Sequence, residues 1–114
     1  MTLFHSIFGD RKQSAHVNVL TPEEFESHIS KKNAQLIDVR TPREFNMGHI
    51  RNAININFFS RSFFLDMDRM DKTKPLYLYC RSGSRSSKAA YKLAARGFKE
   101  IYDLQGGILK WNRI

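Results

Sequence analysis

An α/β fold, with a central, mostly parallel sheet in a three-layer arrangement flanked by helices on both faces, is the architecture this sequence predicts. Three observations carry it. Short apolar runs alternate with helical runs along the chain, short connections join them, and 114 residues with 41% hydrophobic and 26% charged side chains suffice for one core. Parallel strands joined by helical crossovers put binding loops at the carboxyl ends of the strands, so chemistry is sought where a strand runs into a helix.

Taken in order, residues 1–16 mix Phe4, Ile7 and Phe8 with Gly9, Asp10, Arg11 and Lys12 without a sustained period. They read as an amino-terminal arm, and residues 17–114 as the domain proper. Val17 to Val19 predicts a short strand. In Leu20-Thr21-Pro22-Glu23-Glu24-Phe25, Thr21 caps a helix, Pro22 takes its first position, Glu24 closes the capping box and Leu20 against Phe25 forms the staple. The same grammar recurs at Thr41-Pro42-Arg43-Glu44-Phe45, after the apolar strand Leu36 to Val39, and Gly48 interrupts that second helix. The residues following the two boxes diverge at once, so the likeness is shared capping chemistry and not a repeat.

Ala53 to Ile56 predicts another short strand. Phe59, Phe63, Met67 and Met70 fall at helical spacing and predict a third helix over 57–70. Leu76 to Tyr79 is the strongest strand and runs directly into Cys80-Arg81-Ser82-Gly83-Ser84-Arg85-Ser86. A helix with Ala89, Ala90, Leu93 and Ala94 on its apolar face follows and ends at Gly97. Glu100 to Leu104 is the last strand, and Gly106-Gly107 is a turn opening a final helix on which Trp111 is a packing residue.

Composition narrows the function. No apolar stretch approaches the roughly 18 residues that span a bilayer, and Met1 to Lys12 lacks the features of a secretory signal, so a cytoplasmic protein without membrane association is expected. Nineteen Lys and Arg against eleven Asp and Glu give a net charge of +8. These cations are spread from Arg11 to Arg113 without a dense cluster or nucleic-acid motif, which favours small anions or acidic partners over nucleic acid. The single cysteine, Cys80, excludes an intramolecular disulfide and a multi-cysteine metal site. His5, His16, His28 and His49 have no ligand spacing, so neither metal nor cofactor is expected.

The loop after Cys80 holds Gly83, three serines and two arginines, with no acidic and no bulky apolar side chain. Backbone N–H groups turning around a glycine before a helix start converge on one point and carry the positive end of the helix dipole. A sulfur placed there, with Arg81 and Arg85 nearby, is favoured as thiolate, its reactive form. A lone cysteine is more often a small buried hydrophobe, but that role does not call for such a donor-rich segment.

Cys80 to Ser86 after Leu76 to Tyr79 resembles the active-site loop of single-domain rhodaneses. Ile37 to Phe45, Gly48-His49-Ile50 and Asn52 to Ile56 resemble the first rhodanese signature, and Leu104-Gln105-Gly106-Gly107-Ile108 with Trp111 resembles the carboxyl-terminal one. The resemblance covers about Val17 to Trp111. It implies a sulfurtransferase: Cys80 takes the outer sulfur of thiosulfate or a persulfide donor, becomes a persulfide and passes sulfur to a small thiol or a protein acceptor. In that reading the substrate-binding residues are Arg81, Ser82, Gly83, Ser84, Arg85 and Ser86. Their amides hold the persulfide, and the two guanidinium groups orient the small anionic donor and stabilise departing sulfite.

Two rivals remain. A cysteine-dependent phosphatase or arsenate reductase resembles the same fold, but its loop is one residue longer between Cys and Arg, and the His that usually precedes its cysteine is Tyr79 here. A persulfide relay or binding module would keep Cys80 without turning over thiosulfate. Asp38, Arg40 and Glu44, near a strand end, read as a structural ion-pair network and not an acid/base set. Phe58, Phe59, Phe63 and Phe64 read as core with some lining the site's mouth, where Phe58 or Phe64 would dock a protein acceptor.

Overall fold

The computed structural model describes residues 14–31 and 33–112. Residues 1–13, most of the expected arm, lie outside the described residues. Five strands form one sheet: β1 (Val17–Leu20), β2 (Gln35–Asp38), β3 (Ile54–Asn55), β4 (Leu76–Tyr79) and β5 (Ile101–Leu104), in the spatial order β1-β5-β4-β2-β3. Every pairing is parallel, with Leu78 opposite Ile37 on one side and Asp103 on the other. The helices are α1 (Pro22–Ile29), α2 (Pro42–Asn46), α3 (Phe63–Met67), α4 (Ser84–Ala95) and α5 (Gly107–Trp111).

Alternation along the strands sorts the core into two layers. Ile37, Val39, Leu76, Leu78, Cys80 and Ile101 pack with Ala89, Ala90 and Leu93 of α4 and Phe63 and Met67 of α3. Leu36, Tyr77, Tyr79 and Leu104 pack on the opposite face with Phe25 of α1 and Ile108 of α5. β4 sits in the middle of the sheet and all four of its residues are buried, which explains its unbroken apolar character. Among the described residues no helix is long and apolar enough to cross a membrane.

Both capping boxes form. Thr21 Oγ1 accepts from the Glu24 amide while Glu24 Oε1 accepts from the Thr21 amide, and Thr41 and Glu44 repeat the exchange. The third helix is shorter than its periodicity predicts, five residues in place of 57–70. Local side chains compete with the helix ladder there: the Phe59 amide donates to Asn57 Oδ1 and the Ser62 amide to Ser60 Oγ. Such Asn and Ser bonds stabilise turns at the expense of helix. The α4 helix begins earlier than the loop reading allowed, so Ser84, Arg85 and Ser86 form its first turn.

Candidate active site

Cys80 leaves the carboxyl end of β4 with its residue only 1% exposed, on the face covered by α4. The chain turns through Gly83, whose φ of +107° is disfavoured for any residue with a Cβ. That turn points the Gly83 amide back at the sulfur, and its N–H donates to Cys80 Sγ at 3.1 Å. The Ser86 hydroxyl donates to the same sulfur at 3.4 Å and lies within the same distance of the Gly83 carbonyl. The first bond of α4 runs from the Ser87 amide to the Gly83 carbonyl. The amides of Ser84, Arg85 and Ser86 therefore precede the helix's own ladder, and their dipoles add to the positive end beside the sulfur. Of the loop amides expected to face Cys80, Gly83 makes the hydrogen bond.

The loop is held from outside by the turn before α5. The Ile108 amide donates to the Cys80 carbonyl at 2.9 Å, and the Leu109 amide to the Arg81 carbonyl at 3.2 Å. Gly107 makes this approach possible. A Cβ on it would stand 2.3 Å from the Arg81 carbonyl oxygen and 2.7 Å from that of Cys80, at a φ of +64°. Read from sequence as a turn residue, Gly107 is in fact a backing plate for the cysteine loop.

The charged residues sort into two separate pairs instead of one network. Asp38 and Arg40 form a buried pair at 2.7 Å, with Arg40 also donating to the Gly48 carbonyl. Asn55 ties the same turn by donating to the Asp38 and Arg40 carbonyls. Glu44 pairs with Arg85 and not with Arg40. It accepts two bonds from Arg85, at 2.7 and 2.9 Å, and this guanidinium holds its carboxyl down to about 2 against the smaller upward push of burial. One carboxylate thus closes the α2 cap and fixes the first turn of α4.

The two loop arginines differ. Arg85 is bound to Glu44 and stacks its guanidinium 5.5 Å from the Phe59 ring centroid, whereas Arg81 is exposed and forms no ion pair among the described residues. Arg81 borders a cleft of about 460 Å³ shared with Arg40, Glu44, His49 and Trp111. Ser82 and Ser84 are exposed at the rim. Phe59 is the exposed member of the phenylalanine cluster, at 67%, while Phe63 is buried and Phe58 and Phe64 pack against the core. Phe59 is thus the member of the cluster open to solvent, beside the Arg85 guanidinium. Trp111 meets Phe25 edge to face, 6.2 Å between centroids, and also lines the cleft.

Asp103 had no assigned part. It is buried on the α4 face of β5, its Oδ1 has no hydrogen-bond partner, and burial pushes its carboxyl up to about 6 against the Ser86 hydroxyl and the Leu104 amide, which lower it. Its signal in the sequence was an acidic residue in the inward phase of a strand, Ile101 to Leu104. Among the described residues no group of three or more His, Cys, Asp or Glu could hold a metal ion.

Comparison with known proteins agrees with this geometry. The family model for the rhodanese-like domain matches residues 21–114. The chain is 46% identical over 99 residues to the uncharacterized protein YqhL of Bacillus subtilis, covering 87% of this chain and 75% of that protein. It is 37% identical over 81 residues to the thiosulfate sulfurtransferase GlpE of Shewanella oneidensis, covering 71% of this chain and 78% of the relative. It is also 33% identical to the tRNA uridine(34) hydroxylase of Pelagibacter ubique, of which the matched region spans 35%. Among solved structures, a rhodanese-like domain protein from Staphylococcus aureus superposes with a TM-score of 0.73 at 29% identity, covering 82% of this chain and 90% of that one.

Proposed function

We propose that this chain, which belongs to the rhodanese-like domain family, is a sulfurtransferase that carries sulfane sulfur on Cys80. The observation that carries the reading is the Gly83 amide aimed at Cys80 Sγ within a loop that opens α4. Main-chain donors and a helix start favour an anionic sulfur at that point, first as the thiolate and then as the persulfide.

The thiolate of Cys80 attacks the outer sulfur of thiosulfate or of a persulfide donor. The Sγ–S bond forms, the donor's sulfur–sulfur bond breaks, and its electron pair leaves with sulfite or with the donor's thiolate. A thiophilic acceptor, cyanide in an assay or a protein thiolate, then attacks the outer sulfur, and Cys80 departs as the thiolate. The attacking form is the thiolate, so the transfer step itself calls for no general base. Arg81, exposed and unpaired among the described residues, supplies a cation for the donor's sulfonate. Arg85, tied to Glu44, contributes a fixed positive charge at the mouth.

The similarity to thiosulfate sulfurtransferases supports sulfur transfer over phosphate chemistry. So does the loop, with four residues between Cys80 and Arg85. Intact-mass analysis after incubation with thiosulfate tests the proposal. Wild type gains one sulfur atom, cyanide removes it, and Cys80→Ser gains none. Release of phosphate from esters without any sulfur adduct would reverse the assignment.

A further inference from the structure

Lys110 is an exposed residue of α5 that forms no ion pair among the described residues. A helical side chain covers the turn on the amino-terminal side of its own Cα, and for Lys110 that turn is Gly106. A Cβ built on Gly106 would stand 2.6 Å from Lys110 Cγ, 2.4 Å from its Cδ and 3.0 Å from its Cε, so the missing methyl is the seat of the lysine stem. Gly106 in turn lies on the cysteine loop, its backbone nitrogen 3.6 Å from where a Cβ on Gly83 would be. The Gly83 amide is the group that donates to Cys80 Sγ, at 3.1 Å. One glycine therefore separates the lysine stem from the residue that holds the sulfur.

We propose that Lys110 is a specificity-determining residue: its ammonium group, carried over Gly106 to the cysteine loop, is a second cation beside Arg81 and selects doubly charged sulfur donors. This deepens the sulfur-carrier reading of the same site and rests on it. The Leu109 amide donates to the Arg81 carbonyl at 3.2 Å, which joins the backbone next to Lys110 to that of Arg81. Arg81 is likewise exposed and without an ion pair among the described residues. Glu44, the carboxylate bordering the cleft, is bound to Arg85 at 2.7 Å and leaves both of these cations uncompensated.

The chemistry of the donor gives the pair its use. Thiosulfate enters with two negative charges, and when its outer sulfur bonds to Cys80 the departing sulfite keeps two. One guanidinium answers one of these charges, and a point charge on a flexible stem answers the other. Methanethiosulfonate offers the same outer sulfur with a single charge and leaves as methanesulfinate. Coulomb energy scales with charge, so the two donors feel Lys110 unequally.

The second-order rate constant for sulfur uptake, read by intact mass, is compared for both donors in wild type, Lys110→Met and Lys110→Arg. Methionine keeps an unbranched stem over Gly106 and removes the charge. In Lys110→Met uptake from thiosulfate falls about fivefold, the upper range for an exposed charge pair, and uptake from methanethiosulfonate falls about twofold, since half the energy gives the square root of the factor. Lys110→Arg keeps the wild-type preference, and added salt closes the gap between wild type and Lys110→Met. Equal change for both donors, no change for either, or an arginine variant as impaired as the methionine one overturns the proposal. Cys80 is the sole cysteine, so its alkylation by iodoacetamide reads the anion site without sulfur transfer. Sulfate protects it, and half-protection needs about fivefold more sulfate in Lys110→Met but about twofold more methanesulfonate. No protection by sulfate in wild type, or an unchanged requirement in the variant, also overturns the proposal. If protection follows Lys110 while thiosulfate leaves no sulfur on Cys80, the sulfurtransferase reading fails and the anion site stands.

Discussion

Replacing Gly107 with alanine tests how the cysteine loop is held. The residue adopts a φ of +64°, where a Cβ costs about 1 kcal/mol. The added methyl would also stand 2.3 Å from the Arg81 carbonyl oxygen and 2.7 Å from that of Cys80. Both obstacles are backbone, so no rotamer change relieves them. The loop and the start of α5 must separate by about 1 Å to restore ordinary contact. That stretches the bonds from Ile108 to Cys80 and from Leu109 to Arg81, each contributing about 1 kcal/mol. The total loss expected is about 3 kcal/mol, within the range for overpacking a buried site. Urea denaturation reads the stability, and mass-detected sulfur uptake from thiosulfate reads the loop, which is expected to slow at least about tenfold as the Gly83 amide loses its aim. Gly48→Ala is the matched control, since its φ is +139° and nothing lies within 4 Å of the added Cβ. It should cost only its backbone strain, about 1 to 3 kcal/mol at a φ that favours glycine, and leave sulfur uptake unchanged. A Gly107→Ala protein that loses no more than about 1 kcal/mol and takes up sulfur at the normal rate would refute the buttress.

Two further outcomes follow from named contacts. Arg85 holds the Glu44 carboxyl down to about 2, below its ordinary 4.5. A carboxyl lowered in the folded state stabilises above its unfolded value and loses that contribution as pH falls through the folded one. With the pair partly exposed, Glu44→Gln should cost about 1 to 2 kcal/mol at pH 7 in urea melts, and the difference from wild type should close between pH 4.5 and 2; a gap constant across that window would contradict the assignment. Phe59→Ala should slow transfer to protein thiols about fivefold, the effect of removing roughly 1 kcal/mol of docking energy, while transfer to cyanide stays unchanged. Equal slowing of both acceptors would mean that Phe59 shapes the loop through Arg85 and is not a docking residue.

What the sequence determined by itself is local or periodic. Both Thr-Pro-x-Glu boxes form because their bonds span three residues and need no distant partner. The apolar run Leu76 to Tyr79 marks the buried central strand, because a strand covered on both faces has no polar phase. Cys80 followed by a glycine-containing, donor-rich loop marks the candidate site for the same reason: the turn at Gly83 lies three residues from the sulfur it faces. Helical spacing over 57–70 misled, since spacing does not register the Asn57 and Ser60 bonds that compete with the ladder.

The tertiary structure alone decided the partnerships across long separations. Glu44 meets Arg85 instead of Arg40, and Gly107 approaches the carbonyls of Cys80 and Arg81. Each depends on strand order β1-β5-β4-β2-β3, which seats β5 and the turn before α5 beside β4. Short-range rules specify which atoms can donate and accept, but they carry no information about which segments the folded sheet makes neighbours. That adjacency is set by burial of the two apolar layers, a collective quantity no single motif encodes.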